Sequence, residues 1–508
     1  MRWHVAIFLY WATRILAERF DEHLELTALP DGKVLGHWTF TTTLEDAEPG
    51  LSHAQHYTLF PLGLGQILNA HGASELHLAL NAGQWNYKLW GSPPEPSVAS
   101  GAEIWTWMRA RNSTEADARW VGLRNALAGV FCASLGSLDD QRTTTPALSF
   151  RPSVPLPIGK HELRHATLPA EHVCTENLTP FVKLLPCKAS AGLATLLNPH
   201  ALFSAPFHGL SVHYTAGALK LAVQAVFTPP RQDWSLHTLL DRSVPAACTV
   251  ASSSTLSIVA AGAQLDPEPL TDLNGVMQYD LASASYPVEV TIRHPVDTVF
   301  SHRRLTPAVS LRRTMTGSAQ YAGGLLVQLE NARNETVRVS YLETLPWFVT
   351  LYLHTLDIRV DEDPRQRLDL LERLSYVPPR APAPTTLEPI LRLPPMSRVT
   401  MRFQLERAFL LYTQHPPDAQ RGWDLPPAAV TILPPSSPPI TAGPGGQVVF
   451  AFHGPPERVY AKTLLADLAT PDFSMPYNVI IMSSTLVALL FGNVFNLMTR
   501  AFVIVNAQ

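Results

Sequence analysis

Between Asp472 and Arg500 the chain runs for 27 residues without a charged side chain. Its centre, VIIMSSTLVALLFGNVFNLM, is dense in Val, Ile, Leu, Met and Phe. About 20 residues rising ~1.5 Å each cross the ~30 Å hydrocarbon core of a bilayer. A helix satisfies its own backbone groups and can therefore sit in lipid. We expect a transmembrane helix over 473–499; a buried soluble helix is the competing reading. Asn493 and Asn496 lie inside it. Amides facing lipid are unfavourable, so these two are expected to face another transmembrane helix. Arg500 opens a short tail, 500–508, on the side expected to be cytosolic.

That late span orients everything before it. Residues 1–17 read as a signal peptide, with Arg2 in front, an apolar stretch over 5–12, and Ala17 just before Glu18. Arg14 interrupts the stretch, and a buried N-terminal helix is the alternative. Signal and span together put residues 18–470 outside the cytosol. Three sequons agree, at Asn112, Asn177 and Asn334, although Pro180 directly follows the second. The net charge is −4 and no basic run occurs, so nucleic-acid binding has little support.

Proline accounts for 45 of 508 residues, well above the usual ~5%. That disfavours long helices and favours short strands with frequent turns. FDEHLELTALP, VLGHWTFTTTL and LHLALNAG alternate in strand fashion, QWNYKLWG continues in the same style, and GAEIWTWM (101–108) follows. Trp120, Leu123, Leu127, Val130 and Phe131 then recur at helical spacing, predicting one amphipathic helix over about 115–135. Later runs such as LKLAVQAVF (219–227), GLLVQLEN (324–331), WFVTLYLHTL (347–356) and RVTMRFQLERAFL (398–410) return to strand character. The fold class expected is mainly β: tandem β-sandwich-like domains over 18–230 and 231–470. Pro-rich stretches at 377–395 and 426–446 are expected to be loops.

Two features invite a chemical reading. His161-Glu-Leu-Arg-His165 matches the HExxH pattern of zinc peptidases, which needs a helix to bring both histidines to one face. Pro155, Pro157, Gly159 and Pro169 surround it, and HELRHATL reads better as a strand, so no metal site is expected. The second feature is CTENLTPFVKLLPC (174–187). A pair spaced C-x12-C is incomplete as a metal site. Its prolines and sequon suggest an exposed loop. Spacing alone leaves open both a bond between Cys174 and Cys187 and an intermolecular hook. No nucleophile elbow, Walker loop or dinucleotide glycine pattern is present.

CTENLTPFVKLLPC resembles the signature segment of the PIG-T family, a subunit of the glycosylphosphatidylinositol (GPI) transamidase. The likeness continues through HYTLFPLGLGQIL, ELHLALNAGQWNYKLWG, SGAEIWTWM, GVFCASL, DWSL, LPWFVTLYLHTL, ERAFLLYT and TPDFSMPYNVI, in one order along the chain. The resemblance implies an endoplasmic reticulum membrane complex that joins GPI to proprotein C-termini. In it, a separate caspase-like subunit supplies the catalytic Cys and His. The PIG-T-like subunit is then non-catalytic, has no cofactor, and forms a disulfide to the catalytic subunit through Cys174. Of the remaining cysteines, Cys187 and Cys248 are expected to pair, with Cys132 buried and reduced on the helix. A type I adhesion or receptor glycoprotein, or a membrane-tethered zinc peptidase using HELRH, are the alternatives.

Overall fold

The computed structural model describes residues 18–44, 58–157, 159–215, 217–231, 233–260, 262–273, 275–293, 306–361, 363–415, 421–434, 457–469 and 474–501. The expected signal peptide (1–17), residues 435–446 of the second Pro-rich stretch and tail residues 502–508 lie outside these.

Fourteen strands build the first unit: β1 (Glu18–Ala28), β2 (Val34–Leu44), β3 (Ala73–Gly83), β4 (Gly101–Arg109), β5 (Thr143–Thr144), β6 (His161–Leu168), β7 (Phe207–Thr215), β8 (Ala218–Phe227), β9 (Trp234–Ser235), β10 (Ser253–Val259), β11 (Gln264–Asp266), β12 (Thr271–Leu273), β13 (Val276–Asp280) and β14 (Thr291–Arg293). Eleven of them form one sheet in the order β12-β13-β10-β1-β2-β8-β7-β3-β4-β6-β5. β1 pairs in parallel with β10, Asp21 opposite Ser253. The period of two sorts the side chains of each strand. Leu76, Leu78 and Leu80 of β3, Ile104 and Met108 of β4, and Trp38 and Phe40 of β2 enter one large core. Helices Leu62–Ala70, Ser113–Phe131 and Thr175–Lys183 contribute Leu64, Leu68, Trp120, Leu123, Leu127, Leu178 and Phe181 to it. Each such buried side chain stabilises by about 1.5–3 kcal/mol. The residues between, His37, Lys220, His213, His77, Trp105, Glu103 and His165, belong to the opposite face.

The second unit is a two-sheet sandwich. Its strands are β15 (Val309–Thr316), β16 (Ala322–Asn331), β17 (Val337–Leu345), β18 (Val349–Val360), β19 (Leu371–Val377), β20 (Thr385–Leu393), β21 (Arg398–Arg407), β22 (Trp423–Leu425), β23 (Ala429–Leu433), β24 (Arg458–Tyr460) and β25 (Leu464–Ala466). Sheets β15-β16-β21-β18 and β19-β20-β17-β23-β24 share a core that includes Leu325, Val327, Val339, Tyr341, Leu387 and Met401. Arg313 of β15 meets Glu343 of β17 at 2.6 Å inside it, joining the two sheets by charge.

The mainly β class holds, with five refinements. The first unit covers its sheet with helices, so the sandwich form belongs to the second unit. The division falls between 293 and 308 and not at 230, because β10 returns to pair with β1 and the first core runs to Ile292. The helix expected over 115–135 is Ser113–Phe131: Asn112 Oδ1 accepts the Glu115 N–H at its start, and Cys132 takes a left-handed φ of 51° at its end. The stretch 377–395 is no continuous loop, since β20 occupies Thr385–Leu393, and Ala429–Leu433 of the 426–446 stretch is also a strand. Pro389 is tolerated because the β17 ladder pairs Ser340 with Ile390 and Glu343 with Leu387 and skips the residues between. QWNYKLWG, too, leaves the sheet, turning into the short helix Tyr87–Trp90 capped by Asn86.

Polar groups bind the two units together. Glu388 of β20 accepts the backbone N–H groups of Ala147, Leu148 and Ser149 from the first unit. Tyr460 of β24 donates its hydroxyl to Glu103 of β4 at 2.6 Å. The Arg458 guanidinium lies 4.1 Å over the Phe150 ring.

The chain closes on the helix Ser474–Thr499. Its stretch Tyr477–Thr499 has a mean hydropathy of 1.8 and is not buried against the protein. Ser483 and Thr485 return their hydroxyls to the carbonyls of Ile480 and Ile481, which suits them to lipid.

Candidate functional site

The Cys174 segment is a helix, not the exposed loop expected from its prolines. Cys174 is its N-cap, in extended backbone, and Thr175–Lys183 follow as helix with Leu178 and Phe181 buried. Pro186 comes only after this helix has ended. Asn177 fixes the helix in place. Its Oδ1 accepts the Cys174 N–H at 2.8 Å. Its Nδ2 donates to the carbonyls of Phe131 (2.9 Å) and Cys132 (3.2 Å). One amide therefore ties the Cys174 turn to the end of the long helix, and it is only 1% exposed.

Two expectations meet this geometry. At Asn177, an expected glycosylation site, the amide nitrogen that would carry a glycan is buried and donates to both carbonyls. Asn112 and Asn334, in contrast, are exposed. Cys132 is not buried on the helix; it is an exposed free thiol at the helix end, while Cys174 is free and partly exposed.

Cys187 and Cys248 are joined, with Cα atoms 5.8 Å apart and a separation of 61 positions in sequence. A loop of that size contributes about 4 kcal/mol on the loop-entropy estimate. The bond ties the chain just beyond the Cys174 helix to the approach to β10.

HELRH lies on β6. Four residues along a strand separate its histidines by about 13 Å. His161 meets Ser74 Oγ at 2.9 Å. His165 meets Thr144 Oγ1 at 3.0 Å and Glu103 Oε1 at 3.2 Å. Burial raises the Glu103 carboxyl, but His165, Arg458 and Tyr460 together outweigh it and hold the pKa below the ordinary range.

A longer chain of ionisable groups crosses the same face. Glu75 meets His77 at 2.7 Å, His77 and His213 face each other Nδ1 to Nδ1 at 2.8 Å, and His213 meets Glu95 at 3.0 Å. Glu95 also holds His37 and Lys220. Burial lowers the His77 pKa to about 4. Burial acts to raise the Glu95 pKa, but its histidine and lysine partners hold it well below the usual value.

A family model described as "Gpi16 subunit, GPI transamidase component" matches residues 4–225 and 223–508. The chain belongs to the Gpi16 family. The mouse "GPI-anchor transamidase component PIGT" is 33% identical to this Gpi16-family chain over 95% of it and 89% of the mouse protein. The human protein of that name is 32% identical, covering 95% and 90%. The "GPI transamidase component GPI16" of Saccharomyces cerevisiae is 28% identical, covering 96% and 89%. A collagen-binding domain from Staphylococcus aureus aligns at a TM-score of 0.19 with 9% identity, covering 30% of this chain and 96% of its own, too little to carry an argument. As a Gpi16-family member the chain is a subunit of the GPI transamidase, as the resemblance of its motifs implied. Sequence reasoning missed the buried role of Asn177 in this Gpi16-family chain. The available signal was its place three residues after a helix N-cap, the position from which a side chain returns to the cap.

Proposed function

We infer that this chain is a non-catalytic, structural subunit of the GPI transamidase. It is set in the endoplasmic reticulum membrane with its bulk in the lumen. It holds the caspase-like catalytic subunit through a disulfide from Cys174. The observation that carries this reading is the thiol itself: Cys174 is unbonded and partly exposed at a helix start fixed by Asn177, while Cys187 and Cys248 occupy each other. A disulfide needs Cα atoms about 4.4–6.8 Å apart. The partner must therefore lie against the start of this helix, where His172, Thr175 and Glu176 are exposed. A structural role is supported by the pairing of the buried histidines and carboxylates with one another. Asn493 and Asn496 pack against the other membrane subunits. GPI lipid and proprotein are handled by the assembled complex, and Asn112 and Asn334 carry the glycans.

The test is a gel of membranes from cells making wild type, Cys174→Ser or Cys132→Ser, run with and without reductant. Wild type and Cys132→Ser should give a heavier band that reductant collapses and that contains the catalytic subunit. Cys174→Ser should lack it. A band lost in Cys132→Ser and kept in Cys174→Ser would move the hook to Cys132. No heavy band in any lane would defeat the covalent reading.

A further inference from the structure

ERAFLLYT (406–413) is one of the motifs that the docking role leaves unused. It leaves the end of β21 and displays Phe409 and Leu411, 72% and 63% exposed, around a buried Leu410. Tyr321, 68% exposed, is held beside it, because its carbonyl accepts the Arg407 N–H at 2.8 Å. Large apolar side chains at this exposure, grouped on one tip, mark a surface that another phase or molecule covers.

The fold says which end of the sandwich this is. Ala408 donates its N–H to the Phe348 carbonyl at 2.8 Å. The Phe348 ring meets Trp423 at 5.3 Å, and Trp423 is paired with Ala466 of β25. Leu468 is still buried in the sandwich core, and the C-terminal helix begins at Ser474. Six residue steps reach at most about 20 Å. The apolar tip and the mouth of the membrane helix thus share one end of the second unit. Of the nearby acids, Asp424 pairs with Arg421 at 3.0 Å, and Glu406, which accepts the Tyr352 hydroxyl, keeps a charge that suits the headgroup level.

The opposite end differs in character. β21 is ten residues long, about 30 Å at the usual rise. At its far end Met396 donates its N–H to Arg333, in the turn that carries exposed Asn334 and Glu335.

We propose that Phe409, Leu411 and Tyr321 form a second membrane contact, inserting into the leaflet that receives the C-terminal helix. Aromatic and leucine side chains favour that interfacial depth. The contact fixes the tilt of the second unit on the bilayer, which a single helix joined by a short linker does not. The proposal rests on the membrane-spanning reading of Ser474–Thr499.

The test uses the full chain with Cys132→Ser and Cys174→Ser, reconstituted in phosphatidylcholine nanodiscs. Single cysteines at Phe409→Cys, Leu411→Cys, Met396→Cys or Leu489→Cys carry an environment-sensitive fluorophore. Lipids with a nitroxide near the headgroup or at mid-chain, and aqueous iodide, serve as quenchers. Positions 409 and 411 should lose fluorescence to the headgroup nitroxide and resist iodide, and 396 should do the reverse. Position 489 should respond to the mid-chain nitroxide. If 409 and 411 respond to iodide as 396 does, the proposal fails while the helix reading stands. If they resist both quenchers, protein covers the tip and lipid does not, which also overturns it. A silent 489 would remove the membrane reading and the proposal with it.

Discussion

Asn177 sits inside a sequon, yet its amide is an internal fastener. The two roles separate experimentally. Thr179→Ala destroys the sequon and leaves the amide, since the Thr179 hydroxyl donates to the Thr175 carbonyl at 3.0 Å and not to Asn177. It should not change the number of glycans removed by a glycosidase, whereas Asn334→Gln should remove one. Asn177→Ala should cost about 1–3 kcal/mol by leaving buried backbone groups without partners, read as a lowered unfolding midpoint. A glycan lost in Thr179→Ala would contradict the buried amide. Little of this is legible in the sequence. Spacing could not choose among the fates of Cys174, and the family resemblance chose. No pattern indicates that the Asn177 amide reaches Phe131 and Cys132, because that contact crosses 46 and 45 residues and exists only once two helices are packed.

Elements were more readable. Alternation identified the principal strands, and the spacing of Trp120, Leu123 and Leu127 identified the long helix, because each period records one buried face. Alternation does not record what the other face does. On the first sheet that face carries the histidine chain. His77, held at about pKa 4 by burial, stays neutral in the fold where an unfolded histidine takes up a proton below about pH 6.5. Its contribution to stability is therefore complete above that pH and declines as pH falls towards 4. The slope is at most about 1.4 kcal/mol per pH unit. The contribution of Glu95, whose pKa is depressed, is lost only below the ordinary carboxylate range, in the same direction. His77→Gln should flatten the dependence between pH 6.5 and 4, measured by denaturant unfolding of the full chain. An unchanged slope would show that His77 does not set it. Pro389 illustrates the opposite failure: proline density masks a central strand, because a single gap in a ladder is invisible to composition.

At the scale of the molecule, the join between units carries a concentrated polar load. Three N–H groups at Ala147, Leu148 and Ser149 depend on one carboxylate, Glu388. Glu388→Ala should destabilise by roughly 2–4 kcal/mol and speed hydrogen exchange at 147–149 in particular. Protection that survives the change would mean other contacts hold the units together. The sequence placed the division between the units near 230 because nothing local reveals that β10 belongs beside β1.

That pairing also sets a timetable. Ser254 bonds Glu22 across 232 residues. Synthesis at ~5–20 residues per second makes that gap roughly 10–50 seconds long. Throughout it β1 has an open edge on the side that β10 will fill. Open edges invite wrong partners. Newly made chains should therefore need a chaperone that shields β1 until β10 arrives, and pausing translation within that interval should trap chains on it.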